Sequence, residues 1–276
     1  MPTLRRLRVL CPTCKTGQLA LESANSSEVH CSECGASFPV KNGVIDLLPA
    51  PSCRRSLTQI VMEWKPFIAI YESQLFRAGP GFLLVSGIPF DREYEIITQA
   101  AKLKGDEILL DLGCGSGIYS RPFSRRLNGG IVVGLDLSLP MLYYASSRAR
   151  VEKIDNLLLI HGNAFDLPFT DNEFDAVICG ATIHHFSISD LLRVIKEVRR
   201  VLKPGGRFMA ASLRNWIPGQ LSKKFVDWYY QQVGTNFFRS DDLESLFKQA
   251  GLNNIECHHA KRYWLVMTAA KPQLRR

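Results

Sequence analysis

Short apolar runs recur along the chain at Ile108–Leu112, Ile131–Leu137, Leu157–His161, Asp175–Cys179 and Arg207–Ser212. Between them the apolar positions fall three and four apart, over about 117–127, 139–152 and 188–202. The first pattern is that of strands buried on both faces, the second that of amphipathic helices. Their alternation predicts an α/β fold, a parallel sheet covered by helices and joined by right-handed crossovers. Lys203–Arg207, KPGGR, ends the third of these helices and turns into the fifth strand. The alternation then stops. Ser240 precedes DDLESLFKQAG, which predicts a helix with a serine N-cap and a closing Gly251. Two strand-like runs, around Asn254–His259 and Tyr263–Ala270, are too close for a helical crossover and predict an antiparallel hairpin.

Upstream the pattern weakens. Leu47–Ser52, LLPAPS, carries two prolines and reads as an extended linker. It separates a small unit, residues 1–48, from the rest. A unit of that size and poor in core residues needs a staple. Residues 53–104 read as a mostly helical cap or linker, rich in large apolar groups: Trp64, Phe67, Ile70, Tyr71, Leu75 and Phe76. Glycine–proline breaks interrupt it, and Asp91 opens a capped helix before the first strand. Residues 105–272 form the large domain.

At the end of the first strand stands ILLDLGCGSGIY, residues 108–119. Gly113, Gly115 and Gly117 make a turn into a helix, where missing Cβ atoms and free N–H groups let a ligand touch the backbone. A nicotinamide or flavin fingerprint, GxGxxG/A, fits poorly: the sixth place holds Ile118 or Ser120, depending on which glycine begins the count. No Lys-Ser or Lys-Thr follows for a P-loop. Instead Asp111 precedes the glycines, a charge that would repel a pyrophosphate and suits a cationic ligand. The second strand closes in VVGLDLS with Asp136, placed to accept hydrogen bonds from two ribose hydroxyls.

With HGNAFDLPFTDNEFDAVICGATIHHF and VLKPGGRF in the same order, residues 106–272 resemble the class I S-adenosylmethionine-dependent methyltransferases of the type 11 subgroup. The resemblance implies a Rossmann-like sheet of seven strands with the last antiparallel. By position it implies that Asp111, Gly113 and Gly115 line the methionine end of the cofactor, with Gly117 in the same cofactor-binding loop. Asp136 would hold the ribose, and Asn163 and Ala164 would meet the adenine. The family often has aspartate where Asn163 stands. His184 and His185 follow the fourth strand and have two readings, a general base or a wall of the pocket. Asp175 starts that strand, at the opposite edge, and reads as structural.

Cys11-x2-Cys14 and Cys31-x2-Cys34 have the spacing of a zinc site with four cysteine ligands, which would supply the folding energy that residues 1–48 lack. A closed site of this kind is structural. The segment CGASFPVKNGVIDLLP resembles the zinc-ribbon heads that precede some methyltransferase domains. One such group methylates guanine in ribosomal RNA, with a zinc set that usually ends in histidine where Cys34 stands here. Another, from cyanobacteria and plastids, shares the layout and the style of Phe237–Leu252.

Acceptor chemistry has three readings. Aromatic residues in an insertion over about 214–238, Trp216, Trp228, Tyr229, Tyr230, Phe237 and Phe238, could line a pocket for a small hydrophobic or aromatic metabolite. They could also stack RNA bases beside Lys223 and Lys224, in a chain with net charge +8. The third reading is a cofactor-binding scaffold without activity. The basic residues are dispersed: Arg5–Arg8 and Arg121–Arg126 hold three arginines each, and both read as solvated surface. No apolar run is long enough to span a bilayer and no export signal is visible, so a cytoplasmic location is the expectation.

Overall fold

A computed structural model describes residues 7–20, 27–48, 63–73, 79, 89–214, 236–261 and 264–273. Most of the cap sequence and the insertion therefore lie outside the described residues. Among them are Trp216, Trp228, Tyr229, Tyr230 and the side chain of Tyr71.

Ten strands form one continuous sheet. They are β1 Glu28–His30, β2 Ser37–Lys41, β3 Val44–Asp46, β4 Ile108–Leu112, β5 Ile131–Asp136, β6 Leu157–His161, β7 Phe174–Gly180, β8 Leu202–Leu213, β9 Asn253–Lys261 and β10 Trp264–Ala270. Their order is β1-β2-β3-β6-β5-β4-β7-β8-β10-β9. The seven strands from β4 onward form the Rossmann-like sheet that the resemblance implied. Strands β4 to β8 run parallel, and β10 enters antiparallel between β8 and β9. The expected terminal hairpin is this β9–β10 pair.

Among the described residues the α-helices are α1 Lys65–Glu72, α2 Phe90–Ala101, α3 Ser120–Arg126, α4 Leu139–Val151, α5 Ile188–Val201 and α6 Ser240–Gln249. Side chains alternate across the sheet because successive residues of a strand point to opposite faces. Ile108, Leu110 and Leu112 of β4 join a core with α5 and α6, through Leu191, Val194, Ile195, Leu243 and Phe247. Leu109 points the other way, into a core with Ile97 of α2 and Phe123 of α3. Asp175, at the start of β7, accepts a hydrogen bond from Ile108 N at 2.9 Å and pairs with Lys203 at 2.8 Å. It is a fastener between strands, at the edge away from the glycine loop.

Several boundaries move. Extended backbone begins at Leu202, so KPGGR lies within β8 and does not precede it. Ser240 is the first residue of α6, and the Arg239 N–H is satisfied by the Asp242 carboxylate at 2.8 Å. Asp91 is likewise inside α2, whose N-cap is Pro89. In both helices an acidic side chain in the first turn offsets the positive helix end without a serine or aspartate cap.

The cysteine-bearing segment is fused to the sheet. β3 pairs in parallel with β6, with Val44, Ile45 and Asp46 opposite Leu159, Ile160 and His161. β2 and β1 then continue outward as antiparallel strands. Leu7, Val9, Leu19, Val29, Ile45 and Leu47 share one core with Leu167, Phe169 and Phe174. Without β3, β6 would present unpaired backbone groups at the sheet edge.

Candidate functional site

The strand order reverses beside β4: its successors β5 and β6 lie on one side, β7 and β8 on the other. In such sheets the crevice at the carboxyl ends of the strands at this point takes the ligand. The glycine loop occupies that position. Gly113 N donates to Leu135 O at 2.8 Å, and Gly115 N donates to the Asp136 carboxylate at 2.7 Å. The loop is thus tied to the end of β5. Gly113, Gly115 and Gly117 all have positive φ, between 52° and 79°. At Gly113 an added Cβ would lie 2.3 Å from Thr182 Cγ2; at Gly115 it would meet nothing within 4 Å. The second glycine therefore faces open space, as a close-approaching ligand requires.

The two aspartates differ. Asp111 is buried. One of its carboxylate oxygens accepts from Ser120 Oγ at 2.5 Å, and the other, Oδ1, has no partner among the described residues. Burial, with the Asp136 charge adding to it, pushes the Asp111 carboxyl up to about 7 against the Ser120 hydrogen bond. A neighbouring cation would reverse this cost. Asp136 accepts from Gly115 N with one oxygen and from Ser138 N, at 2.8 Å, with the other. Each oxygen keeps a free lone pair for a hydroxyl donor. Burial raises its pKa also. The residues thus fit an S-adenosylmethionine molecule: an unpartnered buried carboxylate oxygen for positive charge, an open glycine and a second carboxylate with spare acceptor capacity. Asn163 and Ala164 follow β6 two residues beyond its end. The Asn163 side-chain oxygen accepts from Phe165 N at 3.0 Å, which shapes this turn.

The four sulfurs of Cys11, Cys14, Cys31 and Cys34 lie within 4.8 Å of one another. Cys11–Cys34 and Cys14–Cys31 are each separated by 3.7 Å. A tetrahedron with metal–sulfur bonds of about 2.3 Å has edges of about 3.8 Å. Backbone N–H groups of Gly17, Glu33 and Cys34 point at the sulfurs of Cys14 and Cys31 at 3.3–3.5 Å. Such donors stabilise thiolates, and those of Gly17 and Thr16 bring the Cys14 thiol down to about 6. A Cβ at Gly17 would sit 2.4 Å from the Cys31 sulfur, so glycine is what lets the loop close on the cluster. The cluster is compatible with zinc.

A family model described as a methyltransferase domain matches residues 110–210. A demethylmenaquinone methyltransferase of Staphylococcus carnosus is 34% identical over 184 residues, which is 58% of this chain and 73% of that protein. One of Lactiplantibacillus plantarum is 32% identical over 179 residues, 56% of this chain and 73% of the relative. The chain belongs to the S-adenosylmethionine-dependent methyltransferases. Solved structures share the fold. Haemonchus contortus phosphoethanolamine N-methyltransferase 2, in complex with S-adenosyl-L-methionine, aligns at TM-score 0.62 and 20% identity, over 82% of this chain and 62% of that one. A SAM-dependent methyltransferase from Aquifex aeolicus aligns at TM-score 0.56 and 18% identity, over 74% and 97%.

The methyltransferase's two histidines separate. His184 is buried, in a short 3-10 turn over Ile183–His185, while His185 is exposed. Their rings lie 4.4 Å apart. Burial, then the neighbouring His185, holds the His184 pKa well below the ordinary histidine value, so the ring is neutral. Its Nδ1 has no partner among the described residues. Asn236, near the end of the insertion, donates its N–H to His184 O at 2.6 Å and its side-chain amide to Phe186 O at 2.9 Å. The insertion's two ends meet, since Arg214 bridges Phe238. Phe238 itself is buried in the main core.

Other residues at the site carried no signal in the sequence. Ala181 holds φ 57°, an uncommon conformation for a residue with a Cβ. It turns the chain so that Thr182 Oγ1 can donate to Gly113 O at 3.0 Å, locking the glycine loop from the β7 side. Tyr119 packs against Gly180, where a Cβ would come within 2.5 Å of its ring, and its hydroxyl donates to the buried Glu93 of α2. Arg121 corrects the reading of its cluster as solvated surface. It is buried and pairs with Glu72 of α1 and Glu152, while Arg125 and Arg126 are exposed. Burying a guanidinium requires such partners.

Proposed function

We propose that this methyltransferase transfers a methyl group to a small hydrophobic or aromatic acceptor of the quinone class. The observation that carries the reading is the set of relatives at 34% and 32% identity that are named demethylmenaquinone methyltransferases. Asp111 would meet the cationic methionine end of S-adenosylmethionine, the loop of Gly113, Gly115 and Gly117 would let it approach the backbone at the open Gly115, Asp136 would bind the ribose hydroxyls, and Asn163 and Ala164 would border the adenine. The unpartnered Asp111 oxygen and the open Gly115 support these roles. The sulfonium supplies an already activated methyl group. What the chain must add is alignment of donor and acceptor and removal of water, which can supply much of the rate. An acceptor that loses a proton needs a base only then. His184 is neutral and has a free Nδ1, but its burial and the loop it braces fit a wall residue better. The four cysteines hold a structural zinc. The reading divides the chain into residues 1–48 as the ribbon, 53–104 as the linker or cap and 105–272 as the catalytic unit. Among the described residues no helix is long and apolar enough to cross a membrane.

The test is transfer of labelled methyl from S-adenosylmethionine to demethylmenaquinone in detergent micelles, beside RNA, protein and organic-soluble fractions of a cell extract. Label in the quinone or organic fraction supports the reading. Label in RNA alone would overturn it and turn the ribbon into a substrate grip.

A further inference from the structure

Three residues from three neighbouring strands stand in a row at the carboxyl edge of the sheet. Asp136 ends β5, His161 ends β6 and Asp46 ends β3, and each is the register partner of the next. The imidazole of His161 is engaged at both nitrogens. Nδ1 faces the Asp46 carboxylate at 2.6 Å and Nε2 faces Leu137 O at 3.0 Å. The ring thus bridges the Asp46 carboxylate to the carbonyl of the Leu137–Ser138 peptide, the same peptide whose N–H donates to Asp136. The backbone repeats the link. Leu47 N donates to His161 O at 3.1 Å, and Gly162 N donates to Asp136 O at 3.0 Å. Leu48 N donates to Asp46 Oδ1 at 3.3 Å, which helps hold that carboxylate in place. The pair is largely shielded, with 13% of the His161 side chain and 23% of the Asp46 side chain exposed. Burial raises the Asp136 pKa, and His161 acts against that rise.

We infer that Asp46, supplied by the ribbon, is a positioning residue of the cofactor site. It acts through His161 on Asp136 and on the turn that leads to Asn163. The ribbon then contributes to S-adenosylmethionine binding without touching the ligand, and this is a role for it besides its own folding. The inference deepens the proposed assignment of Asp136 to the ribose and rests on it.

The experiment measures S-adenosylmethionine affinity by calorimetry on the full-length zinc-loaded protein, with acceptor KM and kcat from the transfer assay. Asp46→Ala should weaken cofactor binding about tenfold, the scale of losing one charge-assisted hydrogen bond, and leave the acceptor KM unchanged. Asp46→Asn keeps an acceptor oxygen for Nδ1 and should recover part of the loss. Zinc content and melting temperature show that each variant is folded. Cofactor affinity within twofold of wild type in a folded Asp46→Ala protein would overturn the inference. So would equal losses in cofactor and acceptor binding, or no recovery in Asp46→Asn, which mark a general structural effect. Asp136→Asn separates the two levels. If it leaves cofactor binding intact, the ribose assignment fails. If it weakens binding and Asp46→Ala does not, only the ribbon's role fails.

Discussion

In the sheet around β4 and β5 almost every side chain is buried, on both faces, and apolar area sets the conformation. In the segment that carries the cysteines, most residues between Lys15 and Gly43 are exposed or half-exposed, and its buried side chains, such as Leu19 and Val29, are few. The sheet can stand on the hydrophobic effect, at about 25 cal/mol for each Å2 of apolar surface removed from water. The ribbon draws on two other sources: four converging sulfurs at one end and the edge of β6 at the other. The contrast extends to polar groups. In the sheet the Asp111 carboxylate is buried with one oxygen unpartnered among the described residues, whereas Glu33, Asp46 and Asp166 at the ribbon are less buried and each have a partner.

The strongest way to break the comparison is to remove one of the four clustered cysteines. Cys31→Ser should abolish binding of one zinc per chain, read by a colorimetric release assay, and unfold the ribbon while the sheet persists, read by limited proteolysis. Apparent zinc contributions in small zinc-finger peptides reach about 10–16 kcal/mol, so one lost sulfur is a large fraction of what holds this segment. A ribbon that stays protected without zinc would mean that its apolar contacts with Phe169 and β6 suffice.

Next in size is Arg121→Ala. It strands the Glu72 carboxylate, whose other oxygen has no partner among the described residues, while Glu152 keeps Arg125 and Arg148. Breaking a buried pair costs about 3–5 kcal/mol, and urea denaturation should show most of that. A loss below about 1 kcal/mol would class the pair with exposed surface bridges.

Gly113→Ala should cost roughly 1–3 kcal/mol through its left-handed backbone and the overlap with Thr182, and it should weaken S-adenosylmethionine binding at the same time. Unchanged thermal stability would show that the loop yields where the packing says it should not.

A smaller effect follows from Asp111. Its folded pKa, about 7, lies above the ordinary value of 3.8, so between these values the folded state holds more protons than the unfolded state. Stability of the cofactor-free protein should therefore fall as pH rises from about 4 to about 7, by a few degrees in Tm. Asp111→Asn should flatten that slope, and so should S-adenosylmethionine, which brings a positive charge to the site. A slope that survives the substitution would assign the titration elsewhere. Least of all, His184→Asn should lower kcat less than about tenfold; a loss of 10² or more would make it the general base.

Periodicity in the sequence was enough to determine the layer architecture, the crossovers and the antiparallel end, because buried parallel strands and amphipathic helices have different spacings. The glycine loop with Asp111 and Asp136 was legible too, since a ligand that touches backbone demands glycine at particular places along one local turn. The cysteine spacing was legible for the same reason: a metal knuckle is a local object. What the sequence could not say is where separate segments meet. The ribbon's β3 lies against β6 across more than a hundred residues, and nothing near Asp46 points to His161. Ser120 on Asp111, Thr182 on Gly113 and Glu93 under Tyr119 are equally invisible, because each contact depends on how strands are ordered and helices lean. Arg121 looked like a surface charge until α1 and α4 enclosed it. Local chemistry is written in spacing along the chain; long-range pairing is chosen by which edges and faces remain to be covered once the sheet has formed, and that was decided by the tertiary structure alone.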